Sequence, residues 1–228
     1  KLRRPESDEE RALVKHLPYI NLIGALLYLA VMSRPDIAFH TSILAKFMSD
    51  PTLECYECAI MLLWYAANNP KSGITYNGRT DIHNVRDKKN VNVLRPHAKE
   101  IERNGGFLAY SDSSWDQDKL KIPYPMFGFN IYLFGGIISF SSKQLKVVAL
   151  SSAEAEYAAS AYTCKEIEFI RNICADMGFP LHGALSIMVD NTAAIDISNN
   201  VGVTQKTKHF RLACHYFRDL VQHNRVFP

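Results

Sequence analysis

Between residues 17 and 75 apolar positions come in dense runs, separated by Pro18, Pro35, Pro51 and Pro70. Proline marks the starts and stops of helices, so the pattern predicts helices over 19–32, 35–48 and 54–68. From Gly105 onward the runs shorten and alternate with polar positions. This second pattern predicts strands over 107–112, 127–134 and 137–141, the last two joined by Gly135-Gly136 at the spacing of a two-residue hairpin turn. A long helix is expected over 151–177, stopped by Gly178 and Pro180, then a strand over 185–190 and helices over 193–198 and 209–222. The stretch 77–104 is polar, rich in Arg, Lys, Asn and Asp, and has little periodicity, which predicts a linker. The expected organisation is a helical connector over 1–76, a linker over 77–104 and an α/β domain over 105–228. In that domain three antiparallel strands, a helix and a strand entering at the sheet centre make a mixed sheet with flanking helices.

Composition narrows the function classes. Apolar residues are 47% and charged residues 21% of the chain, values of an ordinary globular protein. A net charge of +3 permits a nucleic-acid partner without requiring one. The five cysteines have no disulfide-like spacing. Cys55 and Cys58 have zinc-like spacing, but no second ligand pair follows nearby. They lie in a predicted helix with Ile60, Leu63, Trp64 and Ala67 on one side, so both are expected to be structural. The apolar stretch 22–32 is shorter than the roughly 20 residues that span a bilayer. The charged N-terminus has no early apolar core. A soluble, intracellular protein without a membrane partner is expected.

Three acids stand where predicted elements meet. Asp112 ends the first strand, with Leu108 and Tyr110 on the same face, and Asp190 ends the strand after the long helix. The third acid lies in the first turns of that helix, which offers Glu154 and Glu156. Residues two apart on a helix point about 200° apart, so one site takes only one of them. Glu156 shares its stripe with Ala159, Ser160, Thr163, Ile167, Ile170 and Cys174, a small-to-apolar face suited to lie on a sheet. Glu154 lines up with Ala158, Ala161, Lys165, Glu168 and Asn172, and Ser151-x-x-Glu154 reads as a capping box. Glu156 is therefore the expected ligand. Clustered carboxylates repel one another unless a cation compensates them. An all-oxygen set suits Mg²⁺ or Mn²⁺ and phosphodiester hydrolysis. Taken singly, Asp190 also fits a helix cap and Asp112 a turn through Ser113 and Ser114.

Several longer motifs extend these signals. Tyr110-Ser-Asp-Ser-Ser-Trp115, Gly135-Gly-Ile-Ile-Ser-Phe-Ser-Ser-Lys-Gln144, Ala149-Leu-Ser-Ser-Ala-Glu-Ala-Glu-Tyr157, Val189-Asp-Asn-Thr-Ala-Ala-Ile195 and Thr207-Lys-His209 occur in this order. Together they resemble the RNase H region of copia-type LTR retrotransposon Pol polyproteins. Upstream, Leu17-Pro-Tyr19, Gly24-Ala-Leu-Leu-Tyr-Leu29, Arg34-Pro-Asp-Ile-Ala38 and Phe47-Met-Ser-Asp-Pro51 resemble the end of the reverse transcriptase in the same polyproteins. The resemblance implies an RNase H-like fold and cleavage of the RNA strand of RNA–DNA hybrids. It also implies two Mg²⁺ (or Mn²⁺) ions on Asp112, Glu156 and Asp190, which match three of the family's metal-binding acids. Ser113, Ser114, Asn191, Lys143, Lys206, Lys208 and His209 are the expected nucleic-acid contacts. The expected partners are the hybrid and the rest of a reverse-transcriptase polyprotein, in cytoplasmic virus-like particles or the nucleus.

The chain also departs from that pattern. The family continues past the last helix into a further strand and a segment with a fourth acid, both expected beyond Pro228. Arg211 stands where the family usually has Asp, and Ile122-Pro-Tyr-Pro-Met126 replaces a Ser/Thr-rich stretch. The polymerase's own catalytic aspartates are absent from this sequence. The alternative expectation is a degenerate or repurposed copy that keeps the fold and binds nucleic acid or protein without catalysis. An integrase or transposase is disfavoured, because those enzymes present their acids as Asp, Asp, Glu and this chain presents Asp, Glu, Asp.

Overall fold

The computed structural model describes residues 2–76, 78, 98–114, 125–145, 149, 151–199 and 215–228. The chain divides into two compact units, one built on the residues up to Ile74 and one holding most of the sheet and the helices packed on it.

The first unit consists of α1 (Asp8–Val14), α2 (Tyr19–Met32), α3 (Pro35–Ala45) and α4 (Leu53–Asn68). Helix α1 lies ahead of the apolar runs that the sequence pattern highlights. Ser7 starts it by accepting a hydrogen bond from the Glu10 N–H at 3.2 Å, and three acids in its first turn suit the positive end of the helix dipole. Tyr19, Ile23, Leu26, Ile37, Leu44, Cys55 and Ala59 form the core of the unit. The buried face of α4 is Cys55, Ala59 and Ala66, whereas Trp64 is 65% exposed. The face expected from Ile60, Leu63 and Trp64 is thus the outer one, because the smaller residues allow α4 to approach α2 and α3 closely. Cys55 is buried and Cys58 half-buried in this helix. Arg34 is buried at the start of α3 and binds Asp36 through two hydrogen bonds of 2.9 and 2.8 Å. The same guanidinium donates to the carbonyls of Ala66 and Asn69, both at 3.1 Å. These carbonyls lie at the end of α4, where intrahelical partners run out.

The second unit begins with α5 (Ala98–Arg103), followed by β1 (Leu108–Ser114), β2 (Met126–Leu133) and β3 (Gly136–Gln144). Then come α6 (Ser152–Asp176), β4 (Leu185–Val189), α7 (Thr192–Asn199), α8 (His215–Gln222) and β5 (Val226–Phe227). The sheet order is β3-β2-β1-β4-β5. β1 runs antiparallel to β2 and parallel to β4, and β4 runs parallel to β5. The strand after the long helix therefore enters beside β1 at the sheet centre, as expected. This is an RNase H-like mixed sheet with flanking helices.

Four local expectations change. Helix α5 falls inside the stretch expected to be linker, because Ile101 is buried against Leu108 with Tyr110 and Met188 alongside. The hairpin turns on Phe134 and Gly135, with φ of 51° and 79°, and Gly136 already belongs to β3. Both central residues need positive φ in such a turn, a costly state for Phe. Phe134 is held there by its N–H, which donates to the Gly105 carbonyl at 2.7 Å, and by its ring, which packs on Phe179 at 5.1 Å. A Cβ on Gly105 would meet that ring at 2.5 Å, so the turn requires glycine at 105. The first strand continues two residues past Asp112 to Ser114. Finally, β5 is a further strand within the chain, although that strand was expected beyond Pro228. It is short, and Val226 buries in the core of the unit.

Helix α6 lies along β1 and is the centre of the packing. Ala109, Ile131, Tyr157, Ile167, Ile187 and Phe217 are wholly buried in its core. Near its far end Arg171 donates to the carbonyls of Leu181, Gly183 and Arg225 at 3.1, 3.1 and 2.7 Å. Glu168 pairs with both Arg171 and Arg225. These bonds tie α6 to the segments that lead into β4 and β5, and so fix the helix relative to the strand that carries Asp190.

Candidate metal centre

The helix start sets the site. Ser151 caps α6, and its hydroxyl accepts from the Glu154 N–H at 3.2 Å. This is the serine-to-backbone bond of the capping box that the sequence predicts. From there the helix is buried from Glu154 through Ala161, on every side. Glu154 is thus buried too, although its stripe was expected to be polar. The sheet, α7 and α8 all contact α6, and the polar stripe emerges only at Lys165 and beyond.

Small residues let helix and strand meet closely, and a polar seam fixes their register. Thr163 donates to the Ala159 carbonyl at 3.0 Å and shares a hydroxyl–hydroxyl hydrogen bond of 3.0 Å with Ser111 on β1. Two turns earlier, Glu156 faces Ser113. The Ser113 N–H and hydroxyl both donate to Glu156 Oε1, at 2.9 and 2.8 Å. Ser160 bonds the Glu156 main-chain carbonyl at 2.9 Å. The other carboxylate oxygen, Glu156 Oε2, is buried and has no hydrogen-bond partner among the described residues. Alternation explains the arrangement, since Ala109, Ser111 and Ser113 face the helix while Asp112 between them is exposed.

Asp190 follows β4 directly. It does not cap α7, because Asn191 Oδ1 accepts from the Ala194 N–H at 3.2 Å and takes that role. Asp112 does not start a turn, since it pairs with Gly128 inside the sheet. Both acids therefore lack the structural roles that their sequence positions allowed. The structure brings Asp112, Glu156 and Asp190 together, each with one ligand atom within 4.8 Å of the others. Of these only Glu156 is buried.

This placement has an electrostatic cost. Burial pushes the Glu156 carboxyl up, the two hydrogen bonds from Ser113 pull it down, and the charges of Asp112 and Asp190 push it up again. It ends at about 7, from an ordinary 4.5. Three clustered carboxylates, one of them buried with an oxygen that no described residue satisfies, form a donor set that fits a hard divalent cation. Asp112, Glu156 and Asp190 are the residues that would hold it.

The remaining expected contacts are spread out. Ser114 is exposed at the end of β1, Lys143 is exposed on β3, and Asn191 is occupied at the cap of α7. Lys206, Lys208, His209 and Arg211 lie outside the described residues. Among the described residues, no single helix is long and apolar enough to cross a membrane.

Neither a family model nor a solved structure matches the chain. Curated proteins do match. The retrovirus-related Pol polyprotein from transposon TNT 1-94 of Nicotiana tabacum is 28% identical over 218 residues, covering 95% of this chain and 14% of the polyprotein. The corresponding polyprotein from transposon RE1 of Arabidopsis thaliana is 32% identical over 204 residues, covering 90% of the chain and 12% of the polyprotein. The secreted RxLR effector protein 161 of Plasmopara viticola is 29% identical over 155 residues, covering 67% of the chain and 91% of the effector. The chain thus spans only a small fraction of either Pol polyprotein.

Proposed function

Because the chain is homologous over most of its length to Pol polyproteins of copia-type retrotransposons, we propose that it is the RNase H-like module of such a polyprotein and hydrolyses the RNA strand of RNA–DNA hybrids. One observation carries this reading: three carboxylates come together, and one of them, Glu156, is buried with an oxygen that has no hydrogen-bond partner among the described residues. Asp112, Glu156 and Asp190 hold Mg²⁺ or Mn²⁺, two ions in the working enzyme. When bound, such ions supply an activated water and stabilise the leaving oxygen of an in-line attack. The chain's own task is to keep the three carboxylates in place. Ser114, Lys143 and Asn191, with Lys206, Lys208 and His209, bind the hybrid through its phosphates, and the 2′-hydroxyl distinguishes the RNA strand. The rest of the polyprotein is the natural partner, in a cytoplasmic particle or the nucleus.

The second reading is a copy that keeps the fold and binds without cutting. It is favoured by the effector, a relative matched over 91% of its own length and not named as a polyprotein. A cleavage assay on a hybrid with labelled RNA, in Mg²⁺ and in Mn²⁺, separates the two. RNA products that disappear in Asp112→Asn support hydrolysis. A folded protein that retains hybrid and leaves it intact in both metals overturns hydrolysis in favour of the second reading.

A further inference from the structure

Ser113 stands beside Asp112 and gives both of its donors to one oxygen of Glu156. The N–H lies 2.9 Å and the hydroxyl 2.8 Å from Oε1. A serine hydroxyl has one proton to donate, and here it is spent on the carboxylate. The opposite oxygen, Oε2, is left buried and has no partner among the described residues. We propose that Ser113 is a positioning residue of the acidic centre, which clamps Glu156 by Oε1 so that Oε2 stays free to take a cation. This rests on the metal-dependent reading above.

Three observations support the role. Glu156 sits on a long side chain with several rotamers, and two donors on one oxygen select a single orientation. The clamp is rigid, because the N–H belongs to β1 and the strand is paired on both sides upstream. The helix cannot rotate away, since Thr163 is bonded to Ser111 two positions earlier on the same strand. Hydrogen-bonded partners of ligating carboxylates hold them in this manner, and their loss commonly lowers metal affinity by about 10- to 100-fold. A nucleic-acid contact at Ser113 would instead need the hydroxyl that Glu156 already occupies.

The test uses the full chain and Mn²⁺ as the probe, titrated by calorimetry. Ser113→Ala is expected to weaken Mn²⁺ binding about tenfold. It should also lower kcat on a hybrid while leaving KM and metal-free hybrid affinity unchanged. Ser113→Thr, which restores a hydroxyl, should recover both. Ser113→Cys, similar in size and a poor donor, repeats the measurement should the alanine variant fail to fold. Wild-type Mn²⁺ affinity in the Ala and Cys variants, or a raised KM at constant kcat, overturns the positioning role and leaves the metal centre standing. Absence of Mn²⁺ binding in the wild type overturns the metal centre itself, and the role of Ser113 with it.

Discussion

Each of the two units buries a charged side chain, and they treat it in opposite ways. In the helical unit Arg34 meets Asp36 in a two-pronged pair, and its remaining donors reach the carbonyls of Ala66 and Asn69. The Asp36 carboxyl is held below its ordinary value by that guanidinium. In the sheet unit Glu156 is buried beside two further carboxylates and keeps one oxygen without a partner among the described residues. The first arrangement is complete in itself. The second gains from a cation that the chain does not supply. Burial of charge alone does not mark a site; burial of charge that the protein leaves uncompensated does.

The contrast predicts opposite responses to removing a charge. Arg34→Ala takes away one partner of a buried pair and strands the other, together with two helix-end carbonyls. A loss of about 3 kcal/mol in urea unfolding is expected, at the lower end for such pairs because Asp36 is partly exposed. Glu156→Gln should do the reverse in the metal-free protein at pH 8. The folded carboxyl titrates near 7 and the unfolded one near 4.5, so between these values the folded state binds more protons. Stability is then fully present below about 4.5 and is lost as pH rises toward 7. Removing the charge returns part of that loss, on the order of 2 kcal/mol after allowing for weaker bonds from Ser113. Destabilisation by Glu156→Gln at pH 8 would break the contrast.

A metal should act on one unit only, and in a pH-dependent way. Magnesium at about ten times its dissociation constant should stabilise the wild type by roughly 1.4 kcal/mol at pH 8. At pH 5, where Glu156 is protonated, the gain should largely vanish, and Arg34→Ala should leave it unchanged. Thermal melts with and without Mg²⁺ at the two pH values measure this. The smallest effect is expected at the helix start. Ser151→Ala removes the cap of α6 and should cost about 1 kcal/mol without altering the magnesium increment. A lost increment would mean that the cap, and not only the seam to β1, fixes Glu156.

Much of the sheet unit was legible because its signals are local. Ser151 at one end and Gly178 at the other bound a helix that the structure places at Ser152–Asp176. The strand ending before Asp190 is an apolar run broken only by Ser186, and its place beside β1 follows from the order of elements. What was not legible depends on contacts distant in sequence. Ile101 forms a helix in a polar stretch because Leu108 and Met188 wait for it. Phe134 takes a turn position that favours glycine because Gly105 and Phe179 hold it there. Glu154 is buried because two later helices pack around α6, and α4 turns its small residues inward against the pull of Trp64.

The site shows the same division. Asp112, Glu156 and Asp190 could be singled out from strand ends and a helical stripe. The task of Ser113 could not be read from its motif, which suggests an exposed contact. Alternation along β1 held the clue, since it puts Ser111 and Ser113 on the side of the long helix.

The most direct test of the acidic centre is anomalous diffraction from crystals soaked in Mn²⁺. Density is expected between Asp112, Glu156 and Asp190, with carboxylate oxygens about 2.0–2.6 Å away, including Glu156 Oε2. Well-diffracting crystals with manganese bound elsewhere and none among these three carboxylates would contradict it.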